Sequence, residues 1–279
     1  TPRVAAVAGL ARMFPAAMRR TMSESLVAIG RNGRRSTRTD ALRKFGAVWT
    51  GPDSMPHPYF FTRLLFTAQQ LDYLLLARKA APPASWRATL EQAAAGARQL
   101  GGDAGVSLLE MRSYMVNTLL RDTDAMSMHH SLEVRVPLLD HPLVEFVTAL
   151  PDNVRRRSGL PKALLAEALG KMLPREVIDQ PKRTFTFPWR RWLRGPLGLE
   201  VAMRLGAITP SLAEVLDREE VHSVWRSFLM GRTGWARPWS LFVLNEWVRC
   251  HLDQKPAPVE QERPLAVVMI GGLVTSTLF

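Results

Sequence analysis

Residues 124–140 read Asp-Ala-Met-Ser-Met-His-His-Ser-Leu-Glu-Val-Arg-Val-Pro-Leu-Leu-Asp. One short stretch thus gathers carboxylates, hydroxyls and a guanidinium, the groups that move protons and bind anions. Leu132, Val134 and Val136 alternate with Glu133 and Arg135, the period of two of an extended segment with one apolar face. Pro137 supports this, because the residue ahead of a proline is pushed towards extended geometry. Glu133 and Arg135 then project to the same side. Alone, they would be a surface ion pair worth about 0–1 kcal/mol. Arg121, Asp122, Asp124 and Ser127 lie just upstream, so the stretch is expected to wall a polar cleft, with its apolar face buried.

Two further cations qualify. Lys162, in Ser-Gly-Leu-Pro-Lys, falls just inside a predicted helix N-terminus, where free amides and the helix dipole favour an anion; a solvated first-turn lysine is the equal alternative. Lys182, in Gln-Pro-Lys-Arg-Thr, would pass for an ordinary loop cation. The following Phe185-Thr186-Phe187-Pro188 changes that, since two aromatics are expected to anchor the loop in the core.

These groups need elements to hold them. Apolar periodicity predicts helices over 2–20, 58–80, 84–99, 107–130, 141–149, 161–171, 218–230 and 234–253. Residues 47–58 and Pro82-Pro83 read as breaks, and Gly101-Gly102-Asp103-Ala104 as a turn. The 107–130 helix carries Leu108, Met111, Met115, Leu119 and Leu120 at helical spacings and delivers Asp124 and Ser127. Asp140 should cap a helix opening at His141-Pro142. Trp225, Trp235, Trp239 and Trp247 recur irregularly and are expected to close a core. Cys250 reads as a buried small hydrophobe. The histidines lack metal spacing, and adjacent His129 and His130 should face different sides of a helix.

The spaced pattern Asp124-x-x-Ser127-Met128-x-x-Ser131-Leu132-Glu133-x-Arg135-x-Pro137-x-Leu139-Asp140-His141 resembles the synthetase domain of the glutamine-dependent asparagine synthetase family. The likeness continues through Leu143-Val144-Glu145-Phe146, Leu150-Pro151, Gly159-x-x-Lys162-x-Leu164-Leu165, Leu173-Pro174, Lys182-x-x-Phe185-x-x-Pro188 and Trp192-Leu193. It is clear over residues 105–250. One departure is Ala166, where many relatives have arginine.

The resemblance implies ATP-dependent adenylation of a carboxylate, aspartate or a related acid, followed by attack of ammonia to give an amide, AMP and pyrophosphate. ATP would bring Mg2+, and a separate glutaminase domain would supply the ammonia. By position, Glu133 matches the family's active-site glutamate, which handles protons, and Lys182 the lysine that faces the α-phosphate. Arg135 would orient Glu133 or a phosphate, and Asp124, Ser127 and Lys162 would bind substrate or ATP. The implied fold is mainly α: the helical C-terminal portion of an α/β PP-loop domain (adenine nucleotide α-hydrolase-like), with the sheet and phosphate loop mostly missing. The family's Ser-Gly-Gly-x-Asp-Ser and Gly-Gly-Asp-Glu stretches do not occur here, and Thr1 stands where the glutaminase half would begin with cysteine. The chain is therefore expected to be part of a longer enzyme and inactive alone. A homodimer is compatible with this reading. An inactive binding or regulatory remnant and a basic adaptor for polyanions or membrane surfaces stand as alternatives.

Composition sets the frame. The chain has 279 residues, 47% hydrophobic, with one cysteine and a formal net charge of +12. That suits a sizeable core without a disulfide framework, in a reducing compartment such as the cytoplasm. Arg31, Arg34, Arg35 and Arg38 cluster near the start, but without interleaved aromatics to stack bases, so no nucleic-acid partner is expected. The organisation reads as a basic helical part over 1–104, a core over 105–253, a polar linker over 254–264 and an apolar tail over 265–279. The tail is short for a bilayer span. With its flank, residues 263–279, it resembles a membrane-helix segment of heavy-metal efflux pumps of the resistance-nodulation-division class, a likeness better explained by a frame fusion, a recombination scar or an assembly artefact than by a designed anchor.

Overall fold

The computed structural model describes residues 2–19, 21, 44–77, 84–155, 162–180 and 187–253. The first helices are α1 (Pro2–Arg12), α2 (44–50), α3 (Pro58–Arg63), α4 (Ala68–Leu74), α5 (Ala84–Leu100) and α6 (Gly102–Glu110). At six residues α3 is too short to persist alone, and packing must hold it. Tyr59 and Phe60 pack with Leu90, Ala94 and Ala97 of α5 and Leu109 of α6. Phe61 faces the other way, onto Ala8 of α1 and Val48 of α2. Each such buried side chain is worth about 1.5–3 kcal/mol over an exposed one, so α3 is the pin joining two small cores.

The α5–α6 link depends on glycine. Gly101 and Gly102 take φ of 67° and 40°, a left-handed step that L side chains disfavour. A Cβ on Gly105 would stand 2.3 Å from the Ala97 carbonyl oxygen, so the two helices meet backbone to backbone. From α6 the helix runs on through a π-helical segment, Met111–Leu120, into α7 (Arg121–His129).

Beyond it lie α8 (His141–Ala149), α9 (Asp152–Arg155), α10 (Ala163–Leu169) and α11 (Arg175–Ile178). The C-terminal body comprises α12 (Trp189–Arg194), α13 (Gly198–Gly206), α14 (Pro210–Ala213), α15 (Arg218–Leu229) and α16 (Ala236–Val248), ending in a π turn, Arg249–Asp253. Its core holds Leu193, Val201, Leu205, Val221, Trp225, Phe228, Trp239 and Val243, joined by Phe66 and Leu74 from the N-terminal half. Polar contacts fasten the two halves. Buried Arg237 donates from Nε to the Leu65 carbonyl at 2.8 Å, and Leu75 bridges antiparallel to Leu216.

The mainly α expectation holds: that bridge apart, no strand occurs among the described residues. None of their helices is long and apolar enough to cross a membrane. Helices stand where expected at 84–99, 107–130, 141–149 and 218–230. Four expectations need correction. The 2–20 and 58–80 helices are interrupted, at 13–15 and 64–67; in the second, Thr67 starts α4 afresh with a capping box. Residues 47–50 continue α2 rather than break. Gly101-Gly102 turn the chain, but Asp103 and Ala104 already lie in α6. The short helices α11 to α14 were not foreseen. Pro82-Pro83, the Arg31–Arg38 cluster, the linker and the apolar tail lie outside the described residues.

Candidate functional site

The helix from Gly102 delivers α7, whose Asp124 is exposed and whose Ser127 is partly so. Ser127 closes the helix end: its hydroxyl donates to the Asp124 carbonyl at 3.1 Å, and its own carbonyl accepts from Leu132 at 2.9 Å and His130 at 3.0 Å. Ser131 takes φ 57° and turns the chain out of the helix. Residues 132–136 then run without regular structure into a 3₁₀ turn at Pro137–Leu139.

Glu133 and Arg135 do project together, with Nη2 of Arg135 2.6 Å from Oε1 of Glu133. Their side chains are 70% and 83% exposed, so the pair is open to incoming groups. The expected burial of the apolar face is not found. Leu132, Val134 and Val136 are 61%, 49% and 42% exposed, because no described element packs over them. Neither α7 nor α8 has a buried residue. Asp140 occupies the α8 N-cap, but its side chain makes no capping bond. His129 and His130 do not diverge: their rings meet edge to face at 4.9 Å, since His130 has left the helix as its C-cap.

Asp122, one turn earlier, has its Oδ1 buried with no hydrogen-bond partner. Burial raises its pKa, partly opposed by the Arg121 cation. No local feature of the sequence marks this oxygen as covered.

Lys162 is placed differently from the expectation. It is the N-cap of α10 rather than a first-turn residue, in left-handed geometry with φ 59° and ψ 37° and no side-chain cap bond. Lys182 and Phe185 lie outside the described residues. Phe187 is described but is not sunk in the core. It is 50% exposed and leans on Trp192 at 5.5 Å and Trp189 at 6.0 Å. Of the tryptophans expected to close the core, Trp225 and Trp239 are buried and Trp247 packs half-buried against the same core, while Trp235 stacks on Trp189 at the rim. Cys250 is partly exposed rather than buried.

A polar cluster escaped the sequence reading. Arg63 of α3 pairs with the Glu110 carboxylate, and its guanidinium lies 4.1 Å from the centre of the Tyr114 ring. Its Nε donates to the Tyr59 hydroxyl at 3.2 Å, and that hydroxyl meets Ser113 Oγ at 3.2 Å. Burial works against the Arg63 cation, yet hydrogen bonds to Glu110 and Tyr59 outweigh it and leave its pKa raised. For the Tyr59 phenol, burial acts the other way and raises the pKa. Arg63 and Glu110 are 47 positions apart, so no spacing rule could have paired them.

The profile of the family described as asparagine synthase matches residues 7–249. The chain belongs to this family. Asparagine synthetase [glutamine-hydrolyzing] 1 of Bacillus subtilis is 32% identical over 165 residues, which are 58% of this chain and 26% of that protein. Asparagine synthetase [glutamine-hydrolyzing] 3 of the same organism is 36% identical over 105 residues, 35% of this chain and 17% of that protein. The corresponding enzyme of Mesocricetus auratus is 38% identical over 60 residues, 20% of this chain and 11% of that protein. At most about a quarter of each of these asparagine synthetases is thus spanned by the chain. No solved structure matches it.

Proposed function

We propose that the chain is the part of an ATP-dependent, glutamine-fed amide synthetase that brings Glu133, Arg135, Asp124, Ser127 and Lys182 to a shared active site. The observation that carries this reading is the exposed Glu133–Arg135 pair, held at 2.6 Å where the Ser127–Asp140 motif leaves its helix. Its order of events is simple. A substrate carboxylate oxygen attacks the α-phosphorus of ATP, the bond to pyrophosphate breaks, and an acyl adenylate forms. Ammonia then attacks the acyl carbon, AMP leaves, and the nitrogen sheds a proton.

Glu133, beside the Arg135 guanidinium, takes up that proton. The Lys182 ammonium faces the non-bridging oxygens, on which negative charge builds during attack. Asp124, Ser127 and Lys162 bind substrate or nucleotide. Magnesium would arrive with ATP. The described residues offer no set of three His, Cys, Asp or Glu side chains that could hold it without the nucleotide. The acceptor is aspartate or a related carboxylate. A reducing, ATP-supplied compartment such as the cytoplasm suits the single cysteine.

A chimera tests this. This chain would replace the matched segment of the first Bacillus subtilis relative, and ammonia-dependent pyrophosphate release would be followed. Glu133→Gln or Lys182→Ala should each lower it by about a hundredfold or more. Near-normal turnover in either variant removes that residue from the mechanism, and a silent parent chimera favours an inactive remnant.

A further inference from the structure

The helix that carries Asp124 and Ser127 is not α-helical throughout. Ten residues, Met111–Leu120, adopt π geometry, with α-helix before and after. π turns are rare and are usually single bulges, so a run this long needs something outside the helix to hold it. It also has a geometric consequence. A wider turn advances each residue by less than the α-helical step of about 100° and by less rise. Over ten residues the lag grows to a large fraction of a turn. The state of this segment therefore sets which way α7 points Asp124 and Ser127.

The contacts at its start come from one side. Glu110, the last α-helical residue before the segment, is bound by Arg63. Tyr114 lies under the same guanidinium at 4.1 Å. Ser113 Oγ donates to the Leu109 carbonyl, the i−4 acceptor of ordinary α geometry, and meets the Tyr59 hydroxyl at 3.2 Å. Arg63 and Tyr59, which make the contacts from outside the helix, belong to α3, which two hydrophobic cores fix in place.

We infer that Tyr59 and Arg63 are positioning residues: by gripping Glu110, Ser113 and Tyr114 they hold the helix in its π register, and so set the direction in which it presents the Asp124–Ser127 end. The link to catalysis rests on the function proposed above; the register itself does not.

A distance measurement decides it, using the whole chain in a Cys250→Ser background. Nitroxides at Gln92→Cys on α5 and Thr123→Cys on α7, both exposed positions, report the helix end against the core. The parent should give one narrow distribution. Arg63→Met and Tyr59→Phe should each shift or broaden it beyond the parent's width. Lys44→Met serves as the control, since its 2.8 Å bond goes to the Thr62 carbonyl at the end of α3. It should leave the distribution unchanged. The inference is overturned if both α3 variants keep the parent distance, or if Lys44→Met moves it equally. Should Arg63→Met fail to fold, Tyr59→Phe decides, because it keeps the buried ring and removes one hydroxyl. The readout needs no nucleotide or ammonia, so its failure is distinct from failure of the proposed reaction.

Discussion

Lys162 shows how a single residue's backbone can be separated from its charge. At φ 59° and ψ 37° it occupies a region that costs a non-glycine residue about 1–2 kcal/mol. Glycine relieves that cost but loses about 0.5–1 kcal/mol more conformational entropy on folding. Lys162→Gly should therefore raise stability by roughly 0.5–1 kcal/mol, read as an upward shift of the urea midpoint; a fall would mean that the lysine side chain supports the fold. Glu133 and Arg135 differ in kind. Their pair is exposed, so breaking it costs little stability, and a loss of turnover in Glu133→Gln would report chemistry rather than unfolding. The pairing was legible in the sequence, because alternation puts i and i+2 on one side. What alternation could not say is whether anything covers the opposite face.

At the scale of elements, α3 carries a pH dependence. His57 is its N-cap, and Nδ1 accepts from the Tyr59 amide at 3.2 Å, which requires that nitrogen to be unprotonated. Burial, and after it the Arg98 cation, lower the His57 pKa below the ordinary 6.5. The folded state thus binds the proton less readily than the unfolded one. The stabilisation is complete above about pH 6.5 and is lost as pH falls through the lower folded value. Thermal midpoints at pH 7.5 and 5.5 should differ more in the parent than in His57→Asn, which keeps a capping acceptor that does not titrate; equal differences would remove His57 from the pH response. The same helix marks where periodicity ran out. The 58–80 pattern hid the Thr67 capping box that splits it, and 107–130 hid a change of helical type. A change from four- to five-residue hydrogen bonding is driven by contacts distant in sequence, and Arg63 and Glu110 supply them.

Over the whole molecule, apolar residues serve two regimes. The C-terminal body buries Leu193 and Val221 completely, whereas the stretch from α7 through α8 leaves Leu132, Leu138 and Phe146 more than 60% exposed. Hydrophobicity alone cannot tell these regimes apart, which is why the sequence suggested burial at 132–136. Their energetics separate them. Leu193→Ala removes a fully buried side chain and should cost about 2–5 kcal/mol. Leu132→Ser and Phe146→Ser remove groups already in water and should leave the thermal midpoint nearly unchanged. Large exposed apolar side chains still favour association, and the formal charge of +12 opposes it through mutual repulsion. Salt screens that repulsion within about 8 Å at physiological strength. The parent chain should therefore self-associate more as salt rises, and the two serine variants should blunt that response in sedimentation experiments while melting like the parent. A midpoint drop in Phe146→Ser comparable to that of Leu193→Ala would mean instead that this stretch is packed.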